Sequence, residues 1–522
     1  MVLVSLAGLC QGQPLANSRL SGLYVNSIEQ VLALEPDQID LATAVLIISE
    51  QWSDNVQGKK YVEQMDEMAR EILDQMEKKH IKKNYDALPL INEYLFEELK
   101  FRPVDTADNP DDLFLHSVID NRLGYCLSLS VLYLGIGERI GLPLYGVVVP
   151  GHFFVRYDDG KVKINIEATS KGGYADDNHY IEKFKIPSSS NKIYMTNLDK
   201  RQTLGCFFNN LGNSYRDVGE MDSALRSLEK AVEINPGLAE SRANLANIYL
   251  DKNMVEQAIE QYKIALLANQ NDAKTHNNLG NAYAKKDWLS QAVAEYKTAI
   301  VIDPNFVDSY KNLAIAYSRK KMYRQAIAQI DKALTLPTPQ GDLYLRLGNI
   351  QSQAEQFHDA IKAYKKALDT DPTANAYFAI GICYGKINER DNEIKAYKSA
   401  IKMKPDMVEA IGSLGNAYFA LKQYDKAIEQ YKKAVSVEPK NKDLRYNLAA
   451  AYSNTDQFRQ AADQYMAALE IDPQIDRVHS GLAFVFYKLN DFEAAYDHAA
   501  KAQLAGQELP KGLMDAIKEK LK

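Results

Sequence analysis

The sequence of 522 residues lacks several features, and each absence excludes a class of protein. Its four cysteines, Cys10, Cys126, Cys206 and Cys383, are far apart and form no CxxC pair, which excludes a disulfide scaffold and a zinc ribbon. Lys and Arg number 62 against 69 Asp and Glu, so the basic surplus of a DNA-binding protein is missing and no nucleic-acid partner is expected. No apolar run reaches about 18 residues, so no transmembrane segment is predicted.

Motifs for metal and nucleotide chemistry are also missing from the sequence. The eight histidines are scattered, without an HExxH motif or paired spacing. Neither a Walker loop nor a dinucleotide fingerprint occurs. We therefore expect neither a metal nor a cofactor.

Residues 1–26 form an apolar N-terminal segment that lacks the basic start of a secretory signal. We therefore expect a cytoplasmic protein whose N-terminus packs onto its own surface. If the true start lies upstream of Met1, the segment would be the end of a signal peptide and Cys10 an anchor site. The protein would then be exported or lipid-anchored.

A single motif repeats through the C-terminal 300 residues. A Leu-Gly or Leu-Ala pair recurs every 34 residues, with one step of 33, beginning at Leu211, Leu245, Leu279, Leu313, Leu347, Ile380, Leu414, Leu448 and Leu482. Tyrosine follows four residues later in most units, alanines recur seven residues apart, and proline closes most units. The small residues allow two helices to pack closely, and the proline ends the second helix. One such unit cannot bury its apolar face alone, so neighbouring units must stack.

This pattern resembles the tetratricopeptide repeat (TPR), with nine units over residues 205–509. The resemblance implies an all-α superhelical solenoid. Residues 510–522 place Leu513, Met514, Ile517 and Leu521 on one helical face, which predicts a C-terminal capping helix.

Asparagines recur at two positions of the first helix of the units, three residues apart and therefore on one face. The predicted groove residues are Asn210, Asn213, Asn244, Asn247, Asn278, Asn281 and Asn312. In the TPR family this face lines a concave groove, where carboxamides would bind the backbone of an extended peptide or protein partner. Alternatively, asparagine is simply common at these positions and marks no ligand.

The first 200 residues have a different pattern, helical over 27–82 and 89–102 and mixed after residue 121. A buried helix is predicted to begin at or just before Cys126, and buried strands follow it. Asp159-Gly160 predicts a two-residue hairpin loop, which would place His152 directly opposite Glu167 on the more polar face of the sheet.

A carboxylate beside an imidazole fixes the tautomer of the ring and stabilises its protonated form. A cysteine at a helix N-terminus, next to such an imidazolium, is favoured as thiolate. Cys126, His152 and Glu167 therefore form a candidate Cys-His-acid triad. The alternative for Cys126 is a small buried apolar residue.

The stretch resembles the transglutaminase-like superfamily, which shares the papain-type active site. The matching residues are Arg122, Gly124 and Cys126, then Ile140-Gly141-Leu142-Pro143, then His152, and last Glu167-Ala168-Thr169. The resemblance implies a nucleophilic Cys126, a general base His152 and an orienting acid Glu167, although the superfamily usually has Asp at the last position. Asn121 is a candidate oxyanion donor beside the backbone N–H of Cys126.

Together these patterns predict a multidomain protein: an α+β transglutaminase-like domain of the cysteine-proteinase type, then an all-α TPR solenoid. The predicted boundaries are 27–175 for the first domain, 176–204 for a linker, and 205–509 for the repeats. The domain resembles a bacterial branch of the superfamily whose members often carry TPRs. The predicted function is amide hydrolysis or acyl transfer on a protein substrate recruited by the groove. The alternatives are a non-catalytic scaffold or an assembly factor with an inactive domain.

Overall fold

A computed structural model describes residues 15–18, 23–52, 56–106, 109–184, 186 and 194–522. Cys10 and most of the predicted N-terminal segment lie outside the described residues. The chain divides into two compact units, Met1–Phe306 and Val307–Lys522. No helix in the described ranges has both the length and the hydropathy needed to cross a bilayer.

The first unit begins with small strands and a group of helices that surround one buried helix. Their bounds are β1 Leu15–Ser18, β2 Leu23–Val25, α1 Ile28–Ala33, α2 Leu41–Trp52, α3 Gly58–Lys78, α4 Leu88–Asn92, β3 Arg102–Pro103, α5 Leu115–Asn121, β4 Leu123–Gly124 and α6 Cys126–Ile140. Helix α6 is apolar on nearly all sides, as expected for a helix enclosed by other elements. It packs against α2, α3 and α5.

A four-stranded antiparallel sheet packs against α6. Its strands are β5 Leu144–Val149, β6 His152–Asp158, β7 Lys163–Glu167 and β8 Gly173–Ala175, in that spatial order. On one face Phe153, Val155 and Ile166 join the main core. The opposite face is covered by Tyr180 of α7 Asp177–Phe184. The segment 176–204, expected to be a linker, thus contains a helix that packs on the sheet.

The predicted hairpin register between β6 and β7 is wrong by two residues. Asp158 pairs with Lys163 and Val155 with Ile166, so the loop has four residues rather than two. The Asp159 carboxylate accepts hydrogen bonds from the N–H groups of Lys161 and Val162, at 2.9 and 2.7 Å, and this stabilises the longer turn. A two-residue shift leaves every side chain on its predicted face, so His152 and Glu167 still share one face, as diagonal neighbours.

Three helix pairs complete the first unit and six form the second, which confirms the repeat array. In the first unit the pairs are α8 Lys200–Asp217 with α9 Met221–Ile234, α10 Ala239–Asp251 with α11 Val255–Ala268, and α12 Ala273–Lys285 with α13 Leu289–Ile302. In the second unit they are α14 Val307–Arg319 with α15 Tyr323–Ala333, α16 Gly341–Gln353 with α17 Phe357–Thr370, α18 Ala374–Lys386 with α19 Arg390–Met403, α20 Val408–Ala420 with α21 Tyr424–Val437, α22 Lys442–Ser453 with α23 Phe458–Ile471, and α24 Arg477–Lys488 with α25 Phe492–Leu504.

The glycine of the repeat lies where the two helices of a pair are in contact. A Cβ built on Gly280 would lie 2.5 Å from Tyr296, and one on Gly415 would lie 2.6 Å from Tyr431. The last helix, α26 Leu513–Lys520, packs Leu513 and Ile517 against the final pair. Leu521, expected on the same face, is 44% exposed.

Candidate active site

Cys126 is the first residue of α6, and the turn before it is held by its neighbours. Ser128 Oγ accepts a hydrogen bond from the N–H of Tyr125 and donates one to the carbonyl of Asp112, both at 2.9 Å. A Cβ on Gly124 would lie 3.0 Å from this hydroxyl, which explains the glycine two residues before the cysteine. The Arg122 guanidinium lies over the Phe101 ring at 4.6 Å, so its contact is structural.

His152 is the first residue of β6, and its imidazole is contacted at one nitrogen and on one ring face. Its Nε2 lies 2.7 Å from Glu167 Oε2, and its ring stacks on Phe184 with centroids 5.3 Å apart. The Cys126 side chain lies near enough to influence the charge of the imidazole, and both residues line one cavity. Since Glu167 occupies Nε2, Nδ1 is the nitrogen available to the thiol. The structure therefore brings Cys126, His152 and Glu167 together.

Further hydrogen bonds fix the Glu167 carboxylate. Its Oε1 accepts from Thr169 Oγ1 at 2.6 Å and from the Thr169 N–H at 3.3 Å, and its Oε2 also accepts from the Tyr180 hydroxyl at 3.3 Å. Because His152 and Glu167 are diagonal rather than directly opposite, the acid must reach farther along the sheet. The extra methylene of Glu, compared with the usual Asp, suits this distance.

These contacts favour the charged forms of His152 and Glu167. Burial alone would lower the pKa of His152, but its interactions with Cys126 and Glu167 outweigh burial and raise the pKa to about 9. Burial would raise the pKa of Glu167, but hydrogen bonds from His152 and Thr169 outweigh it and lower the pKa. The pair is thus an imidazolium and a carboxylate at neutral pH.

Asn121, the candidate oxyanion donor, is not brought to Cys126. Its side-chain amide donates to Ser117 Oγ on its own helix at 3.0 Å, and the residue is exposed. It does not line the cavity beside Cys126. Asn121 is the last residue of α5, and its bond to Ser117, one turn earlier, holds the amide on its own helix.

Cys126 and His152 line a cavity of about 590 Å³ within the first unit. Repeat helices of the same unit supply much of the rest of its lining. The predicted groove residues that line it are Asn210, Asn213, Asn244, Asn247 and Asn278. Asn281 is not part of the cavity, and its Oδ1 accepts from the Tyr296 hydroxyl at 2.8 Å. Asn312 belongs to the second unit.

Sequence reasoning missed several residues of this site. Tyr180 and Phe184 contact the imidazole from α7, and Asn209 lines the cavity. The spacing of four between the two aromatic residues places them on one helical face, a pattern that could have predicted a helix packed on the sheet. Among the described residues, no three side chains of His, Cys, Asp or Glu converge to hold a metal ion.

Fold and site together define a transglutaminase-like domain followed by tetratricopeptide repeats. The model of the transglutaminase-like superfamily matches residues 59–205. Models of the tetratricopeptide repeat match residues 215–279, 289–321, 340–408, 415–456 and 443–475. The chain therefore carries both modules in the order that the sequence predicts.

Among curated proteins, the chain is similar to a UPF0162 protein of Xylella fastidiosa (strain 9a5c). The two are 28% identical over 162 residues, which cover 29% of this chain and 57% of the relative. A second relative, the F-box only protein 21 of Mus musculus, is 37% identical over 75 residues, 14% of this chain and 12% of that protein. The chain spans about half the length of the UPF0162 relatives that it matches.

One similar solved structure is the C-terminal part of a TPR repeat-containing protein from Cytophaga hutchinsonii. It is 18% identical, covers 46% of this chain and 98% of that chain, and has a TM-score of 0.41.

Proposed function

We propose that this protein is a cysteine hydrolase or acyltransferase that acts on an amide of a protein substrate held in the repeat groove. The supporting observation is that Cys126 lines a cavity beside His152, whose ring is hydrogen-bonded to Glu167. This is the arrangement that covalent catalysis by cysteine requires: a nucleophile, a base beside it and an acid that orients the base.

In the reaction, Cys126 Sγ attacks the acyl carbon and His152 donates its proton to the departing amine. This first half of the reaction forms a thioester on Cys126 and breaks the C–N bond of the amide. Water or a second amine then attacks the thioester while His152 takes up a proton, and Cys126 leaves as thiolate. Position 126 is the first residue of a helix, so its N–H has no intrahelical acceptor and is available to the oxyanion.

The second candidate is a scaffold that binds a peptide in the same cavity without chemistry. One observation favours it: Asn121 does not supply a second oxyanion donor. The two candidates differ in the reactivity of the Cys126 thiol.

Alkylation by iodoacetamide, measured for each cysteine by peptide mass spectrometry, separates the two candidates. Cys206 lines the same cavity and is the internal control, because burial raises the pKa of its thiol to about 12. At pH 6 we expect Cys126 to react at least about tenfold faster than the free cysteine of a short peptide, while Cys206 stays nearly unlabelled, and His152→Gln should remove the excess rate of Cys126. A Cys126 rate no higher than that of the free peptide thiol would contradict the catalytic proposal and favour the scaffold.

A second measurement tests the chemistry itself. Incubation with amide-bearing peptides should leave an acyl adduct on Cys126 that hydroxylamine removes, as expected for a thioester. The Cys126→Ser variant should form no such hydroxylamine-labile adduct.

A further inference from the structure

The asparagines of the cavity are oriented by hydrogen bonds that they make with their own neighbours. Asn247 Oδ1 accepts from the Tyr262 hydroxyl at 2.6 Å and from Asn278 Nδ2 at 3.0 Å. Asn209 Oδ1 accepts from Asn244 Nδ2 at 3.0 Å. With their oxygens engaged, Asn209 and Asn247 keep their N–H groups as donors for a ligand.

Asn244 and Asn278 have the opposite orientation. Each uses its amide nitrogen in the bonds just described, so its Oδ1 is the group available as an acceptor. Asn278 Oδ1 also lies 3.5 Å from Asn277 Nδ2, the outer limit of a hydrogen bond. Asn213 also lines the cavity, and its side chain has no hydrogen-bond partner among the described residues.

The cavity wall therefore carries both donors and acceptors on the first helices of three successive pairs, α8, α10 and α12. Neighbouring helices of this row are in contact. Packed helices lie about 8–10 Å apart, so three of them span about 16–20 Å. An extended chain rises about 3.3 Å per residue and presents N–H and C=O groups in alternation, so five or six residues match this wall.

We propose that the substrate is an extended polypeptide segment, bound through its main chain along these asparagines with its reacting acyl group at Cys126. The inference rests on the proposed function and adds to it that recognition and reaction share one continuous site. Cys126 is only 5% exposed, so a folded surface cannot reach it and the segment must be a terminus or an unfolded stretch. Because the main chain is recognised, the side chains of the segment contribute little to selection.

Two series of reactive peptides test this, one for each direction of the chain. Iodoacetyl peptides and peptidyl chloromethyl ketones are built from Ala and Gly, with one, three and six residues. We expect the alkylation rate of Cys126 to rise about tenfold or more from one to six residues in one series. Absence of a length effect in both series, while iodoacetamide still reacts rapidly, would overturn the inference and leave the proposed function standing.

Asn213→Ala is the informative variant, because this side chain makes no hydrogen bond within the described protein. A lost hydrogen bond is worth about 0.5–1.5 kcal/mol, so the six-residue probe should react about two- to twelvefold more slowly while iodoacetamide is unaffected. Asn281→Ala is the matched control, since it removes the same residue from the same repeat position outside the cavity. Equal effects of the two variants would refute a role for the cavity asparagines.

A binding measurement keeps the inference testable even if Cys126 proves unreactive. In the Cys126→Ser protein, a fluorescent six-residue Ala-Gly peptide should bind in an anisotropy titration and its two-residue counterpart should not. Asn213→Ala in this background should weaken binding, and Asn281→Ala should not. Failure of the six-residue peptide to bind would by itself contradict the inference.

Discussion

Replacement of Glu167 by Gln tests the electrostatics of the site directly. Glu167 Oε2 lies 2.7 Å from His152 Nε2, and both side chains are about 15% exposed, so solvent screens the pair weakly. A hydrogen bond to a charged partner contributes about 1.5–3 kcal/mol, and one pKa unit corresponds to about 1.36 kcal/mol. The neutral amide should therefore lower the pKa of His152 by about one to two units from its value of about 9.

The assay is the rate of Cys126 alkylation by iodoacetamide between pH 6 and 11, followed by peptide mass spectrometry. In the native protein the profile should change slope near pH 9, where the imidazolium loses its proton. In Glu167→Gln the change of slope should move to about pH 7–8, by the same arithmetic. Retention of the change of slope near pH 9 would refute the assignment of Glu167 as the residue that stabilises the imidazolium.

A second histidine–carboxylate pair in the chain supplies the control. His276 Nδ1 lies 2.7 Å from Glu295 Oε2, the same separation as in the candidate triad. Glu295→Gln removes an equivalent contact from a helix pair of the first unit. It should leave the Cys126 profile unchanged, which separates the specific effect from any general consequence of removing a carboxylate.

Arg156, 1% exposed, donates to three neighbouring segments, and Arg156→Met should lower the free energy of unfolding in urea by about 3 kcal/mol. Gly280→Ala places a Cβ 2.5 Å from a tyrosine ring and should cost about 1–3 kcal/mol, whereas Gly237→Ala, with nothing within 4 Å of the new carbon, should be nearly neutral in the same titration. Burial alone would lower the pKa of His276, but hydrogen bonds with Glu295 and a backbone carbonyl outweigh it and raise the pKa. The resulting stabilisation of the fold should be complete below about pH 6.5 and should decline as the pH rises through the folded pKa. Thermal unfolding should detect this dependence in the native protein and its loss in Glu295→Gln.

The faces of the hairpin could be predicted from sequence, but its register could not. Alternation of side chains along β6 and β7 has a period of two, so His152 and Glu167 fall on the same face in either register. The register depends on the turn, where the Asp159 carboxylate binds two backbone N–H groups and lengthens the loop. A short loop motif does not reveal which of these turn geometries is adopted.

The helix that covers this face of the sheet could not be predicted from the local sequence pattern either. The helix at 177–184 is short and polar. Its position depends on Tyr180, which packs on Phe154 with ring centroids 4.0 Å apart. The buried Arg156 adds an ion pair to Asp177 at 2.7 Å. Such contacts link residues more than twenty positions apart, so a local periodicity does not predict them.

The sequence by itself determined the two modules, their order and the nature of the candidate triad, because repeat spacing, helix starts and strand alternation are local properties of the chain. Only the tertiary structure decided that the first repeats and Cys126 line the same cavity. It also decided which asparagines present donors and which present acceptors, since this follows from hydrogen bonds between successive helices. These features depend on how separate elements pack, and packing between distant segments is not encoded in the spacing of any one of them.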